Sequence, residues 1–157
     1  MRYYMIDRIT EYEPGKRARG IKAVSFESEV LHDHFPDYPV LPGAFLIESM
    51  AQLSGFLIEM SCNTKEHVRR ALLVKIDDAK FYAMAEPGDC LALEAAMGDR
   101  LDDAAKTTLI VTSGSQKIAT ATLTFVLKDV PVPAIHEQRR RLYKVWTRNC
   151  QGLPEIL

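Results

Sequence analysis

A chain of 157 residues has the length of one domain, and 47% hydrophobic with 26% charged residues is the balance of a globular protein that can bury a core. Its 20 Lys plus Arg against 21 Asp plus Glu leave a formal charge of −1, which argues against a nucleic-acid binder relying on a large positive field. The composition also excludes a disordered tail, a collagen-like repeat and a disulfide-dense miniprotein. Three cysteines, Cys62, Cys90 and Cys150, form no CxxC pair, so they read as reduced thiols and not as a zinc knuckle. Residues 1–7 reach an acid at Asp7 without an apolar run, which predicts no signal peptide. The most apolar stretch, residues 44–60, is interrupted by Glu48, Gln52 and Glu59 and is too short to span a bilayer. These features predict a cytoplasmic protein with neither membrane nor nucleic acid as a partner.

In chain order, residues 1–13 are a short lead-in of unassigned type, closed by Pro14-Gly15. A strand is expected within residues 16–29. Residues 32–42 cannot be helical, because Pro36, Pro39 and Pro42 remove donors and hold their predecessors extended. From Ala44 the sequence is apolar on nearly every face for about five turns, the pattern of a helix wrapped by the rest of the protein. A polar linker, residues 63–70, precedes a run of period-two segments. These are 71–76, continued by 79–83 after a kink at Asp77-Asp78, then 90–97, 106–112 and 118–127. Pro87-Gly88-Asp89, residues 98–103 and Ser113-Gly114-Ser115 are the turns. Val130-Pro131-Val132-Pro133 is a stiff extended linker, and 134–149 reads as a basic amphipathic helix.

A helix apolar all round needs a sheet curved about it and a further surface on its open side. The expected architecture is α+β: a hotdog fold, with a long central helix wrapped by a curved antiparallel sheet, a C-terminal helical extension and a second copy supplying cover; its competitor is an ordinary α+β sandwich. Residues 1–128 would form this domain and 129–157 the linker and basic helix.

The segment richest in chemistry runs from His34 to Gln52. Its prolines hold His34 on a stiff loop and give the imidazole a fixed position. Gly43, after Pro42, opens the helix, where unpaired N–H groups and the positive dipole end favour an oxyanion or thioester oxygen. Glu48 stands one turn before Gln52 on the same face of an apolar run; desolvation there would raise its pKa and let it hold a proton. A neutral His and a protonated Glu in one pocket make a general base and a general acid. Taken singly, each residue has a plainer role. His34 alone fits a hydrogen-bonded loop residue, Glu48 a partner of a buried Arg or of a second subunit, and Pro-Gly an ordinary helix start. His32 and His34 have no third metal ligand nearby, so no metal is expected.

The string His34-Phe35-Pro36-Asp37-Tyr38-Pro39-Val40-Leu41-Pro42-Gly43, followed by Glu48-Ser49-Met50-Ala51-Gln52, resembles the signature of the 3-hydroxyacyl-(acyl carrier protein) dehydratases of type II fatty-acid synthesis. Every signature position is filled. The resemblance extends over residues 5–127, through 20–25, 76–81 and 87–91. It implies a hotdog fold, a homodimer and often a trimer of dimers, with acyl carrier protein as partner. No cofactor is implied, because the substrate rides on the carrier's phosphopantetheine. By motif position His34 matches the catalytic histidine, Glu48 the catalytic acid and Gly43 the thioester-binding amide, with Pro42 and Gln52 in support. In that family the His and the acid of one site come from different subunits. Glu48, where the isomerising branch has Asp, resembles the branch that only dehydrates.

The chain departs from the pattern in three places. Asp33 replaces a glycine, Leu72 stands where some relatives carry a gating aromatic, and residues from about 128 extend beyond the usual family end. In that extension Arg139, Arg140, Arg141, Lys144 and Arg148 stand against Glu137, with Leu142, Val145 and Trp146 as an apolar stripe. Such a helix either packs on the core with a solvated outer face or docks the acidic carrier protein. A hotdog thioesterase and a non-catalytic acyl-binding subunit are the alternative functions.

Overall fold

A computed structural model describes residues 3–157. The lead-in contains a strand, β1 (Arg8–Glu13), paired with β2 (Arg17–Ala23) across the Pro14-Gly15 turn. Then follow a single 3-10 turn at Glu29–Leu31, helix α1 (Gly43–Cys62), strands β3 (Arg70–Phe81), β4 (Cys90–Arg100), β5 (Ala104–Ser113) and β6 (Gln116–Lys128), and helix α2 (Pro133–Trp146). The six strands form one antiparallel sheet in the order β1-β2-β4-β5-β6-β3. Residues 8–13 give no strand signal because Ile9 is the one fully inward side chain of β1.

The sheet wraps α1. Met50, Leu53, Phe56, Leu57 and Ile58 are fully buried on different faces of the helix, against Leu91, Leu93, Val111, Ile118 and Leu123 of the sheet. Each such side chain contributes on the order of 1.5–3 kcal/mol of burial. The polar Ser54 is tolerated because its hydroxyl shares a 2.8 Å hydrogen bond with Thr107 of β5. Gly20 on β2 permits the close approach of β1, since a Cβ there would sit 2.9 Å from the Arg8 carbonyl oxygen.

The kink expected at Asp77-Asp78 is a pair of register shifts in one continuous strand, between Leu73 and Lys75 and between Ile76 and Asp78. Asp77 accepts a short hydrogen bond from Thr124 and an ion pair from Lys75 at 2.7 Å. β3 is also the sheet's terminal strand. Val74 is 56% exposed, and Leu72, Ile76 and Phe81 are exposed beside it. A long apolar strand with an unpaired outer edge is an unfinished surface.

α2 packs on the core, but through a different stripe from the one expected. Tyr143 and Trp146 are buried and Leu142 is half-buried, while Val145 points outward. Tyr143 packs edge-on against Phe56, ring centroids 5.0 Å apart. The sequence pattern missed Tyr143 because an aromatic hydroxyl among basic residues reads as a surface group. No helix among the described residues is long and apolar enough to cross a membrane.

Candidate active site

The loop before α1 is closed on itself. Phe35 and Tyr38 exchange backbone hydrogen bonds of 3.0 Å, and the Val40 N–H donates to the His34 carbonyl at 2.8 Å. Leu41 N–H reaches the Ala85 carbonyl at 2.8 Å, and the Tyr38 hydroxyl donates to Glu86 at 2.8 Å, so the loop is tied to the segment after β3. The Glu86 carboxylate holds the Tyr38 phenol above its ordinary pKa. The Phe35 ring stacks on the imidazole, centroids 4.3 Å apart.

The His34 imidazole is oriented by its own loop. Nδ1 lies 3.0 Å from the Val40 carbonyl oxygen, and a carbonyl can only accept, so Nδ1 carries the proton. Nε2 of the neutral ring is then left with its lone pair, the arrangement of a general base. Asp33 is exposed and, among the described residues, makes no hydrogen bond to His34. No group of three His, Cys, Asp or Glu among the described residues is placed to hold a metal.

Pro42 ends the loop with ψ of 139° and offers its carbonyl to the Phe45 and Leu46 N–H groups at 2.9 and 3.3 Å. The Gly43 N–H, at the helix start, donates to no acceptor among the described residues. No acidic side chain occupies the first turn, so the positive end of the helix is not neutralised. A Cβ at Gly43 would meet the Phe81 ring at 3.0 Å, which makes glycine the residue that lets β3 close over this corner.

Glu48 lies on the far side of the first two turns. It is half-buried and accepts a 2.8 Å hydrogen bond from Gln52 Nε2. Gln52 in turn accepts from the Met5 N–H at 2.8 Å and donates to the Tyr3 carbonyl at 2.9 Å, fixing the N-terminal segment beside the acid. Glu48 and Gln52 line a cavity of about 280 Å³ whose other walls are Tyr3, Tyr4 and, from α2, Ile135, Gln138, Arg139 and Leu142. His34 is not part of that cavity. The structure therefore brings Glu48 and Gln52 together in one cavity, whose lining includes neither His34 nor Gly43. The participation of Tyr3, Tyr4 and Gln138 had no sequence signal, since each is brought in by the packing of a terminal segment.

Of the basic residues on α2, Arg139 is drawn inward, its Nε 4.0 Å from the buried Glu59 carboxylate. Arg141 pairs with Glu137 one turn earlier. Arg140, Lys144 and Arg148 are exposed, and the first two border a second groove with Lys65 and Glu155.

The curved sheet around a buried helix, with a proline-braced histidine loop at the helix N-terminus, defines a protein of the hotdog class. A FabA-like domain matches residues 1–122, and the chain belongs to that family. It is 37% identical over 123 residues to a protein of Clostridium acetobutylicum named 3-hydroxyacyl-[acyl-carrier-protein] dehydratase FabZ, covering 78% of this chain and 86% of that one. A protein of the same name from Geotalea uraniireducens is 38% identical over 92 residues, which span 59% of this chain and 63% of the relative. In fold, the chain resembles the dehydratase heterocomplex ApeI:P of Xenorhabdus doucetiae, with a TM-score of 0.64 at 16% identity over 81% of this chain and 84% of that one.

Proposed function

We propose that this protein dehydrates 3-hydroxyacyl thioesters carried on acyl carrier protein, giving the trans-2-enoyl thioester and water for fatty-acid or related lipid synthesis. The observation that carries the reading is the tautomer of His34: with Nδ1–H committed to the Val40 carbonyl, Nε2 is a base held by a closed loop beside the open N-terminus of α1. His34 Nε2 takes the proton from the carbon next to the thioester. The Gly43 N–H receives the charge that develops on the thioester oxygen. Glu48 delivers a proton to the 3-hydroxyl as its carbon–oxygen bond breaks, and water leaves. Pro42 and Gln52 position these groups. The reaction draws on no cofactor, the substrate arriving on the carrier's phosphopantetheine in the cytoplasm.

The active form in this reading is a homodimer, with His34 of one copy facing Glu48 of the other; three such dimers form the larger assembly that the resemblance implies. Two observations support this: His34 does not line the cavity that holds Glu48, and the exposed apolar β3, through Phe81, lies against Gly43 at the start of α1. Residues 1–128 are the dehydratase domain and 129–157 its linker and basic helix. The outward Arg140, Arg141, Lys144 and Arg148 supply the docking face for the acidic carrier, with Arg139 held behind them.

Mixing two inactive variants tests both chemistry and assembly. His34→Ala and Glu48→Gln each lack 3-hydroxyacyl-(acyl carrier protein) dehydration alone. Unfolded together and refolded, about half the dimers are mixed and each rebuilds one site, so about a quarter of the parent activity returns. No recovery would place both groups of a site in one chain. Free acid as the product of the parent protein would make it a thioesterase, and no product a binding subunit. Arg140→Glu with Lys144→Glu tests docking: KM rises for the carrier-bound substrate and not for a pantetheine thioester.

A further inference from the structure

After α2 the chain turns back on itself. Gly152 has a φ of 73°, which glycine adopts freely, and the residues beyond it return to the helix. Leu153 and Ile156 are half-buried against the core, and Glu155 between them is exposed. Glu155 lies in a groove of about 580 Å³ whose cations are Lys65, from the segment between α1 and β3, and Arg140 and Lys144 of α2. Lys65 Nζ pairs with the Glu155 carboxylate at 2.8 Å. Among the described residues, Arg140 and Lys144 make no ion pair of their own. Lys65 first, and Arg140 and Lys144 at longer range, hold the Glu155 carboxyl below its ordinary pKa. Three cations thus share one carboxylate, in a chain whose formal charge is −1. The helix that supplies two of them lies beyond residues 1–122, the span of the family match. Its other flank walls the Glu48 cavity through Ile135, Gln138, Arg139 and Leu142, so groove and cavity stand on two sides of one helix, about 10 Å across.

We propose that Glu155 is an internal competitor for the carrier's docking seat: it fills the place that a carboxylate of the acidic carrier takes when substrate is delivered. The proposal rests on the dehydratase reading, adds Lys65 to the docking face and makes residues 150–157 a brake on delivery. The partner's surface is acidic because the groove already takes a carboxylate of the chain's own and leaves two cations without one. The Glu155–Lys65 pair is displaceable. Its side chains are 65% and 74% exposed, and an ion pair so exposed holds loosely. The segment itself is anchored by Leu153 and Ile156, so Glu155 can give up its partner without the segment unpacking.

The test titrates a fluorescently labelled acyl carrier protein onto the full chain and reads binding by anisotropy. Glu155→Gln is expected to tighten binding about threefold. It lowers KM for the carrier-bound 3-hydroxyacyl substrate by the same factor and leaves KM for a pantetheine thioester unchanged. Glu155→Asp keeps the charge and stays with the parent, and the gain from Glu155→Gln closes at high salt. Lys65→Glu weakens carrier binding about tenfold. Four results overturn the proposal: the parent does not bind the carrier; Glu155→Gln leaves the affinity unchanged; Glu155→Gln weakens it, which makes the segment part of the docking face; or KM for the pantetheine thioester falls equally, which places the effect inside the active site. If the parent protein dehydrates neither substrate, the activity reading fails, and anisotropy still decides the groove.

Discussion

The two ends of α1 carry a glutamate each, about three turns apart on one face, and the two have opposite surroundings. Glu59 is 2% exposed. Its Oε1 accepts the Ala71 N–H at 3.0 Å, and its Oε2 accepts Arg70 Nη1 at 2.8 Å and the Tyr143 hydroxyl at 2.9 Å. Arg70 is itself locked, its Nε donating to His136 Nδ1 at 3.1 Å, while His136 Nε2 donates to the Val130 carbonyl at 2.6 Å. Glu48 is half-buried, has Gln52 as its hydrogen-bond partner and faces a cavity. One carboxylate has its lone pairs filled from β3 and α2 and so ties α1, β3 and α2 together. The other keeps acceptor capacity on the side that faces the cavity. The contrast separates a structural acid from a reactive one without appeal to which of them lies in a motif.

The sharpest way to break the contrast is to neutralise each acid in turn. Glu48→Gln lowers kcat by a factor on the order of 10²–10⁴ with the unfolding midpoint unchanged, read by steady-state dehydration and a thermal scan. Glu59→Ala does the reverse. It strands Arg70, which is 1% exposed, and costs about 3–5 kcal/mol of stability, read by urea unfolding, while the folded fraction keeps its specific activity. A stable but inactive Glu59→Ala protein would dissolve the distinction.

A smaller change at the same hub carries a pH dependence. Burial, reinforced by the Glu59 charge, pushes the Tyr143 phenol well above its ordinary value. A raised folded-state pKa means a contribution fully present below the unfolded value, about 10, and lost as the pH climbs beyond it. Tyr143→Phe removes one hydrogen bond to a carboxylate and costs about 2 kcal/mol near neutrality. The gap between the two proteins narrows above a pH of about 10, checked by urea midpoints across the alkaline range.

The half of α1 that carries the proposed site is marked in the sequence and the half that holds the Glu59 hub is not, for a physical reason. His34, Pro42, Gly43, Glu48 and Gln52, the residues of the proposed site, are read from local pattern: a proline-braced loop, a helix start and one helix face, all within a short stretch. The plain reading of a lone acid in an apolar helix, that it pairs with a buried Arg, holds for Glu59, whereas Glu48 is hydrogen-bonded to Gln52. Nothing in the local pattern tells the two apart, because Arg70 and Tyr143 come from distant parts of the chain. The central helix and five of the six strands followed from periodicity, since each buries a continuous face. β1 is too short and too polar on its outer face to announce itself. The stripe of α2 shifted from Val145 to Tyr143 because the hydroxyl of Tyr143 finds the Glu59 carboxylate, a partner that periodicity does not include.

Gly43→Ala is the mildest test at the open end. The added methyl would meet Phe81 Cε1 and Cζ at 3.0 Å, but that ring is 51% exposed and can swing toward water. Alanine also favours the helix by about 1 kcal/mol over glycine, so the net change in stability is less than about 1 kcal/mol. Activity responds differently, because the methyl stands beside the N–H that receives the thioester oxygen and holds the reacting carbon away from it. A displacement of a few tenths of an ångström is enough to lower kcat/KM about tenfold. The expected outcome is an unfolding midpoint near that of the parent, with a loss in kcat/KM that is the same for carrier-bound and pantetheine substrates. A loss confined to the carrier-bound substrate would mean that Phe81, displaced by the methyl, had disturbed the docking face, and that the helix start is not where the thioester sits.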